Sequence, residues 1–172
     1  LKTEPEKEVF SKMVFPDLKS KQKVDIMTIG EKKDEHVILK SLLTDKRGIE
    51  YIMREPLEAF EVGELYKLFY KENYPKEISK MDKHYIVTDS NEKVIGGLCF
   101  KELEKDIVLI DGMAVISPLH GKGIGSAMME DFFTRMKLMG IKMIKAHFLF
   151  GNYYLKHNFV IDKKWGALVR EL

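Results

Sequence analysis

The sequence predicts a mixed α/β fold around one central sheet, preceded by an N-terminal extension. Three observations carry this. From Gly48 onward the strand-like and helix-like runs follow the order strand, helix, three strands, helix, strand, helix, two strands. The linkers inside the group of three strands are short enough for hairpins, and a glycine-rich turn stands between a strand and a helix. With 172 residues, 45% of them hydrophobic and 33% charged, the chain can bury a real core.

The extension, residues 1–47, is lysine-rich, and its apolar patches "KVDIMTI" and "HVILKSLL" fit a strand followed by a helix or a second strand. We read it as an extension or linker-derived segment and residues 48–172 as the domain. "IEYIMRE" reads as a strand. The following "PLEAFEVGELYKLFYKENY" opens with Pro56, which suits a helix N-terminus, and Leu57, Phe60, Val62, Leu65, Leu68 and Phe69 give it one apolar face. "HYIVTD", "KVIGGLCF" and "IVLIDGMAVI" form an antiparallel meander, in which Gly112 marks a bulge. A helix follows the glycines: Ile124, Met128, Phe132 and Met136 recur every fourth residue, joined by Met129, Phe133 and Met139, and Gly140 closes it. "IKMIKAHFLF" is a strand, "NYYLKH" a short helix, and "FVIDKKW" with "ALVREL" a terminal strand pair.

Composition narrows the function. The net charge is +2, with 18 basic against 18 acidic residues beyond residue 48, so no basic field for nucleic acid is present. No apolar run has the length of a membrane span and the first residues are too charged for a secretory signal, which makes a cytoplasmic location the expectation. Leu at position 1 fits a processed chain or a piece of a longer protein. The lone Cys99 has no cysteine neighbour, and His36, His84, His120, His147 and His157 lack metal-ligand spacing, so no metal site is expected.

The glycines carry the chemistry. In "SPLHGKGIGSAMME" three of them stand on alternate positions, where backbone N–H groups at a helix N-terminus can meet an anion without a Cβ in the way. A Walker loop fails, because Gly123 follows Gly121 and Lys122 and Ile116 stands where its first glycine belongs; the dinucleotide fingerprint fails because Ser126 stands where its third glycine belongs.

"HGKGIG", after "MAVISPL" and before "SAMM", resembles the acyl-CoA-binding motif RxxGxG/A of the Gcn5-related N-acetyltransferases (GNATs). The likeness extends over residues 48–172, including "YYLKHNF", which is similar to the family's late FYxxxGF segment. It departs from the pattern at His120, where the family has Arg or Gln; at Asn158, which replaces a glycine; and in the shortened stretch between Gly140 and Tyr154. The resemblance implies a mostly antiparallel sheet flanked by helices and an acetyl group passed from acetyl-CoA to the amine of a small molecule or protein. It implies that Met113, Ala114 and Val115 face the pantetheine arm, and that His120, Gly121, Lys122, Gly123, Ile124, Gly125 and Ser126 cradle the diphosphate. Tyr154 matches the tyrosine that protonates the departing thiolate. Asp111, a carboxylate in an apolar run, is the candidate base, with His147 a possible proton relay and Cys99 core packing. The alternative is a catalytically weak acyl-CoA-binding regulatory module of a larger protein. A homodimer through an exposed strand is compatible with both.

Overall fold

A computed structural model describes residues 9–13, 24–31, 34–72, 76–147, 151–164 and 166–172. Its strands are β1 (Val9–Met13), β2 (Val24–Glu31), β3 (Asp34–Thr44), β4 (Glu50–Arg54), β5 (Lys83–Thr88), β6 (Val94–Glu104), β7 (Ile107–Val115), β8 (Met143–Ala146), β9 (Val160–Asp162) and β10 (Ala167–Glu171). Helices α1 (Ala59–Lys71), α2 (Ile124–Leu138) and α3 (Gly151–Lys156) connect them. The strands form one 10-stranded sheet, in the order β1-β2-β3-β4-β5-β6-β7-β8-β10-β9. Every described pairing is antiparallel except β7 with β8. Among the described residues, no helix is long and apolar enough to cross a membrane.

The patch at 36–43, open between helix and strand in the sequence, lies within the strand β3. This strand pairs with β4 and contributes the buried Ser41 and Leu43. The expected ends of the first helix at Tyr74 and of the strand at Phe148, Leu149 and Phe150, and Trp165 of the terminal pair, lie outside the described residues.

Helix α1 lies on one face of the sheet, where Leu65 and Phe69 pack with Ile86, Val94, Cys99 and Ala114. A Cβ on Gly97 would sit 2.9 Å from Leu65 Cδ1, so the glycine is what lets helix and strand approach. The helix starts at Ala59 rather than Pro56, because the Glu61 carboxylate accepts the N–H groups of Leu57 (2.7 Å) and Glu58 (3.2 Å) and fixes the chain there. Its inward stripe is Glu61, Leu65 and Phe69, whereas Leu57 and Phe60, expected on the apolar face, are exposed. Glu61 is buried because Arg54 takes both its oxygens, at 2.6 and 3.1 Å.

Helix α2 covers the opposite face with Ile124, Met128, Met129, Phe132, Phe133 and Met136, as the fourfold spacing predicts, and Met139 is exposed. It ends in a Schellman motif: Ile141 N–H reaches Met136 O (2.9 Å), Gly140 N–H reaches Lys137 O (3.0 Å), and Gly140 has φ +80°. Arg135, buried on α2, binds Asp131 (2.6 Å), the carbonyls of Leu39 and Met53 (both 2.9 Å) and Ser41 Oγ (2.7 Å), tying α2 to β3 and β4.

Candidate active site

The site begins with a register error in the sheet. Between β6 and β7 the pairing passes from Phe100↔Ile110 to Cys99↔Gly112, which leaves Asp111 as an extra residue beside the glycine that marks the bulge in the sequence. The extra residue reverses the side-chain alternation. Val108 and Ile110 pack on the α2 side, but beyond the bulge it is Met113 and Val115 that do so, while Ala114 joins the α1 side. On its other edge β7 pairs with β8 only as far as Ile110↔Ala146. From there the two strands part, and the edge of residues 112–115 has no strand partner among the described residues.

Into this fork opens a cavity of about 430 Å³. Its lining includes Met113, Ala114, Val115, His120, Gly121, Gly123, Ile124, Gly125, Ser126 and Tyr154, so the cofactor-binding residues inferred from the sequence converge on one space; Lys122 is not among the lining residues. Gly123 is the N-cap of α2 in a left-handed conformation (φ +88°), which a glycine adopts without strain. It offers no capping side chain, and the first turn carries no acidic residue. Ala127 N–H bonds Gly123 O, so the N–H groups of Ile124, Gly125 and Ser126 remain without an intrahelical acceptor and point along the helix axis.

Four lining residues, Lys46, Glu72, Leu119 and Tyr153, were not among the candidates from the sequence. Lys46 reaches the cavity from the β3–β4 turn, and Glu72 from the end of α1, where it accepts a hydrogen bond from Ser117 Oγ (2.7 Å). Tyr153 places its hydroxyl beside Gly125, where a Cβ would lie 3.1 Å away. That hydroxyl is buried with no hydrogen-bond partner among the described residues, and burial pushes its pKa up. An orphaned donor beside bare helix amides suits a ligand carrying phosphate or amide oxygens. His120, at the position of the family's Arg or Gln, is engaged by other lining residues: its Nε2 lies 2.6 Å from Val115 O and 3.6 Å from Glu72.

Asp111 does not line the cavity but stands at the fork on the α1 side. Its carboxylate holds His147 Nε2 (2.9 Å), Lys76 Nζ (2.7 Å) and Lys101 Nζ (3.3 Å), and Lys76 also pairs with Asp82 (3.0 Å). Burial pushes the Asp111 carboxyl up, but the bonds from Lys76 and His147 outweigh it and hold the group at about 2. A carboxylate so placed stays charged at neutral pH and orients its neighbours. Deeper on the same side, Tyr66 Oη lies 2.9 Å from His84 Nε2, 3.4 Å from Asp82 and 3.8 Å from Cys99 Sγ, filling the middle of that acid, imidazole and thiol group. Cys99 is buried, with its thiol pushed up to about 12 by burial, as core packing requires. Tyr154, from α3, stands on the opposite side of the sheet in the α2 layer, 5.2 Å from the Phe159 ring; Asn158 between them takes the left-handed conformation (φ +63°) that its replacement of a glycine demands.

Residues 49–159 match the model of the Acetyltransferase (GNAT) family. The chain belongs to this family. Solved GNAT structures share its fold. Tetrahymena Gcn5 superposes with a TM-score of 0.57 at 18% identity, covering 65% of this chain and 86% of the other. The GNAT domain of PAT from S. lividans gives 0.61 at 12%, covering 77% and 97%. N-acetylglutamate synthase from Neisseria gonorrhoeae, solved with coenzyme A and L-arginine, gives 0.61 at 14%, covering 71% and 33%. Comparison with curated protein sequences finds no match. The glycine turn, the bulge and the fork of this GNAT chain are thus the parts of an acetyltransferase fold.

Proposed function

We propose that this GNAT protein is an N-acetyltransferase that moves the acetyl group of acetyl-CoA to a primary amine of a small molecule or protein. One observation carries the reading: a single cavity joins the uncapped amides of α2, the stretch of β7 beyond its last described pairing with β8, and the phenol of Tyr154. Membership of an acetyltransferase family and the coenzyme A bound in the similar Neisseria structure support it.

The donor supplies a thioester, whose C–S bond breaks as the amine nitrogen bonds the carbonyl carbon. The amides of Ile124, Gly125 and Ser126 then hold the diphosphate, with the helix dipole adding about 0.3–1 kcal/mol per charge. Residues 113–115 offer the backbone edge along which the pantetheine amides can pair. Tyr154 Oη donates its proton to the leaving thiolate; a phenol with a reference pKa of about 10 keeps its proton at neutral pH and can pass it to a thiolate whose acid lies near 8.5.

The amine proton goes to His147 rather than to Asp111. In the tautomer in which Nε2–H donates to Asp111 Oδ1, Nδ1 is the acceptor, and imidazole is the side-chain type that exchanges protons near neutrality. Asp111 fixes the ring. Because the alternation places His147 and Asp111 on the α1 side and Tyr154 on the α2 side, thiol and amine chemistry flank the fork from opposite faces. The test is calorimetric titration of coenzyme A followed by thiol release from acetyl-CoA across a panel of amino acids, polyamines and lysine peptides. Micromolar binding with release on at least one amine is expected. Binding without turnover on any amine would favour a sensor, and absence of binding would remove the cofactor assignment.

A further inference from the structure

The cradle lacks the cation that a diphosphate calls for, since His120 is turned onto Val115 O and Lys122 does not line the cavity. The β3–β4 turn supplies one. Lys46 lies outside residues 49–159, the matched stretch, yet its N–H donates to Lys122 O (2.8 Å) and stitches the turn to the glycine loop. Its aliphatic stem runs along Gly123: a Cβ there would meet Lys46 Cγ at 3.0 Å, Cε at 3.4 Å and Cδ at 3.6 Å. Lys46 lines the cavity and has no ion-pair partner among the described residues.

The turn that presents it is built more firmly than a connection needs. The Asp45 side chain, fully buried, accepts the N–H groups of Arg47 (2.8 Å) and Ile49 (3.1 Å) on one oxygen. The other oxygen takes Arg47 Nε (3.0 Å), Arg47 Nη2 (2.7 Å) and Tyr51 Oη (3.3 Å). Lys46 sits between these two fixed residues, so its long side chain leaves the backbone at a defined point and Arg47, its cationic neighbour, is committed elsewhere.

We propose that Lys46 is a cofactor-binding residue whose ammonium pairs with the diphosphate of the acyl-CoA donor, and that Asp45 is the positioning residue that aims it. This rests on the acyl-CoA reading above and assigns a cation from outside the glycine motif. A charged hydrogen bond of this kind is ordinarily the strongest single polar contact in such a site.

The full chain is titrated calorimetrically with coenzyme A, 3′-dephospho-coenzyme A and pantetheine. Lys46→Met is expected to weaken the first two by about tenfold each and to leave pantetheine unchanged, while Lys46→Arg recovers most of the loss. Lys105→Met, at an exposed hairpin, controls for net charge. Asp45→Asn is expected to weaken coenzyme A only while Lys46 is present. Equal affinities of wild type and Lys46→Met overturn the assignment, and so does a loss seen with coenzyme A but not with its 3′-dephospho form, which would move the contact to the 3′-phosphate. An Asp45→Asn loss of the same size in the Lys46→Met background overturns the positioning role. A wild-type chain without affinity for coenzyme A sinks the functional reading itself, and a wild type that binds while the variants do not differ sinks only this inference.

Discussion

Asp111 and His147 are the residues just past the last paired rung of β7 and β8, and their side chains meet at 2.9 Å across the point where the strands part. The bond bridges the fork on the side that α1 covers, and in the proposed mechanism it holds the accepting imidazole against a fixed anion. His147→Gln should lower kcat by about 100-fold, the lower end of the range for general-base catalysis, with coenzyme A affinity unchanged. Asp111→Asn should lower kcat less.

Tyr154→Phe removes one oxygen from a ring that stays packed on Phe159. Turnover should fall at least tenfold while coenzyme A affinity stays within about twofold. Stopped-flow thiol release and calorimetry read the two effects separately, and unchanged turnover would take Tyr154 out of the mechanism.

Gly123→Val should abolish measurable coenzyme A binding. The new side chain must take a left-handed conformation, costing about 1–2 kcal/mol, and it would press on Lys46 at 3.0 Å. Thermal melts with and without coenzyme A check this: a lowered midpoint that no longer responds to ligand is expected.

Arg135→Met should destabilise the chain by about 3–5 kcal/mol, measured as a lower urea midpoint. The change leaves the Asp131 charge buried without its partner and removes the donor from Leu39 O, Met53 O and Ser41 Oγ together.

Stability should fall on acidification through two carboxylates. Burial pushes Glu61 up, but the Arg54 bond and the N–H groups of Leu57 and Glu58 pull it further down; Asp111 is held at about 2. Both groups bind protons more weakly in the folded chain than in the unfolded one. Their contributions are therefore complete above the unfolded values, about 4, and are lost as pH drops through the folded ones. Urea midpoints between pH 6 and pH 2 should decline for wild type and decline less steeply for Glu61→Gln.

The element order, the Gly112 bulge, the Gly140 stop and the glycine turn before α2 could all be read from the chain, because each rests on local periodicity or on a residue type that one backbone conformation demands. What could not be read depends on distant neighbours. Nothing near Lys46 signals that its turn will be stitched to Lys122, and nothing near Asp111 signals that Lys76 and Lys101 will hold it charged. Phe60 fits an apolar helical face by spacing, yet the buried Glu61 with its Arg54 partner takes the inward place beside it. The 36–43 run has no clean period of either kind, so only pairing with a neighbour decides it as part of β3.

Suppose the codon for Asp111 were deleted. Val108, Ile110, Met113 and Val115 would then fall on one side in unbroken succession, and the strand would satisfy its α2 contacts with one residue fewer. Packing alone supplies no reason to keep the surplus residue. In the proposed mechanism the scaffold gives up regularity there for reactivity, and a chain trimmed there should still fold, less stably for want of the Asp111 contacts, and lose turnover.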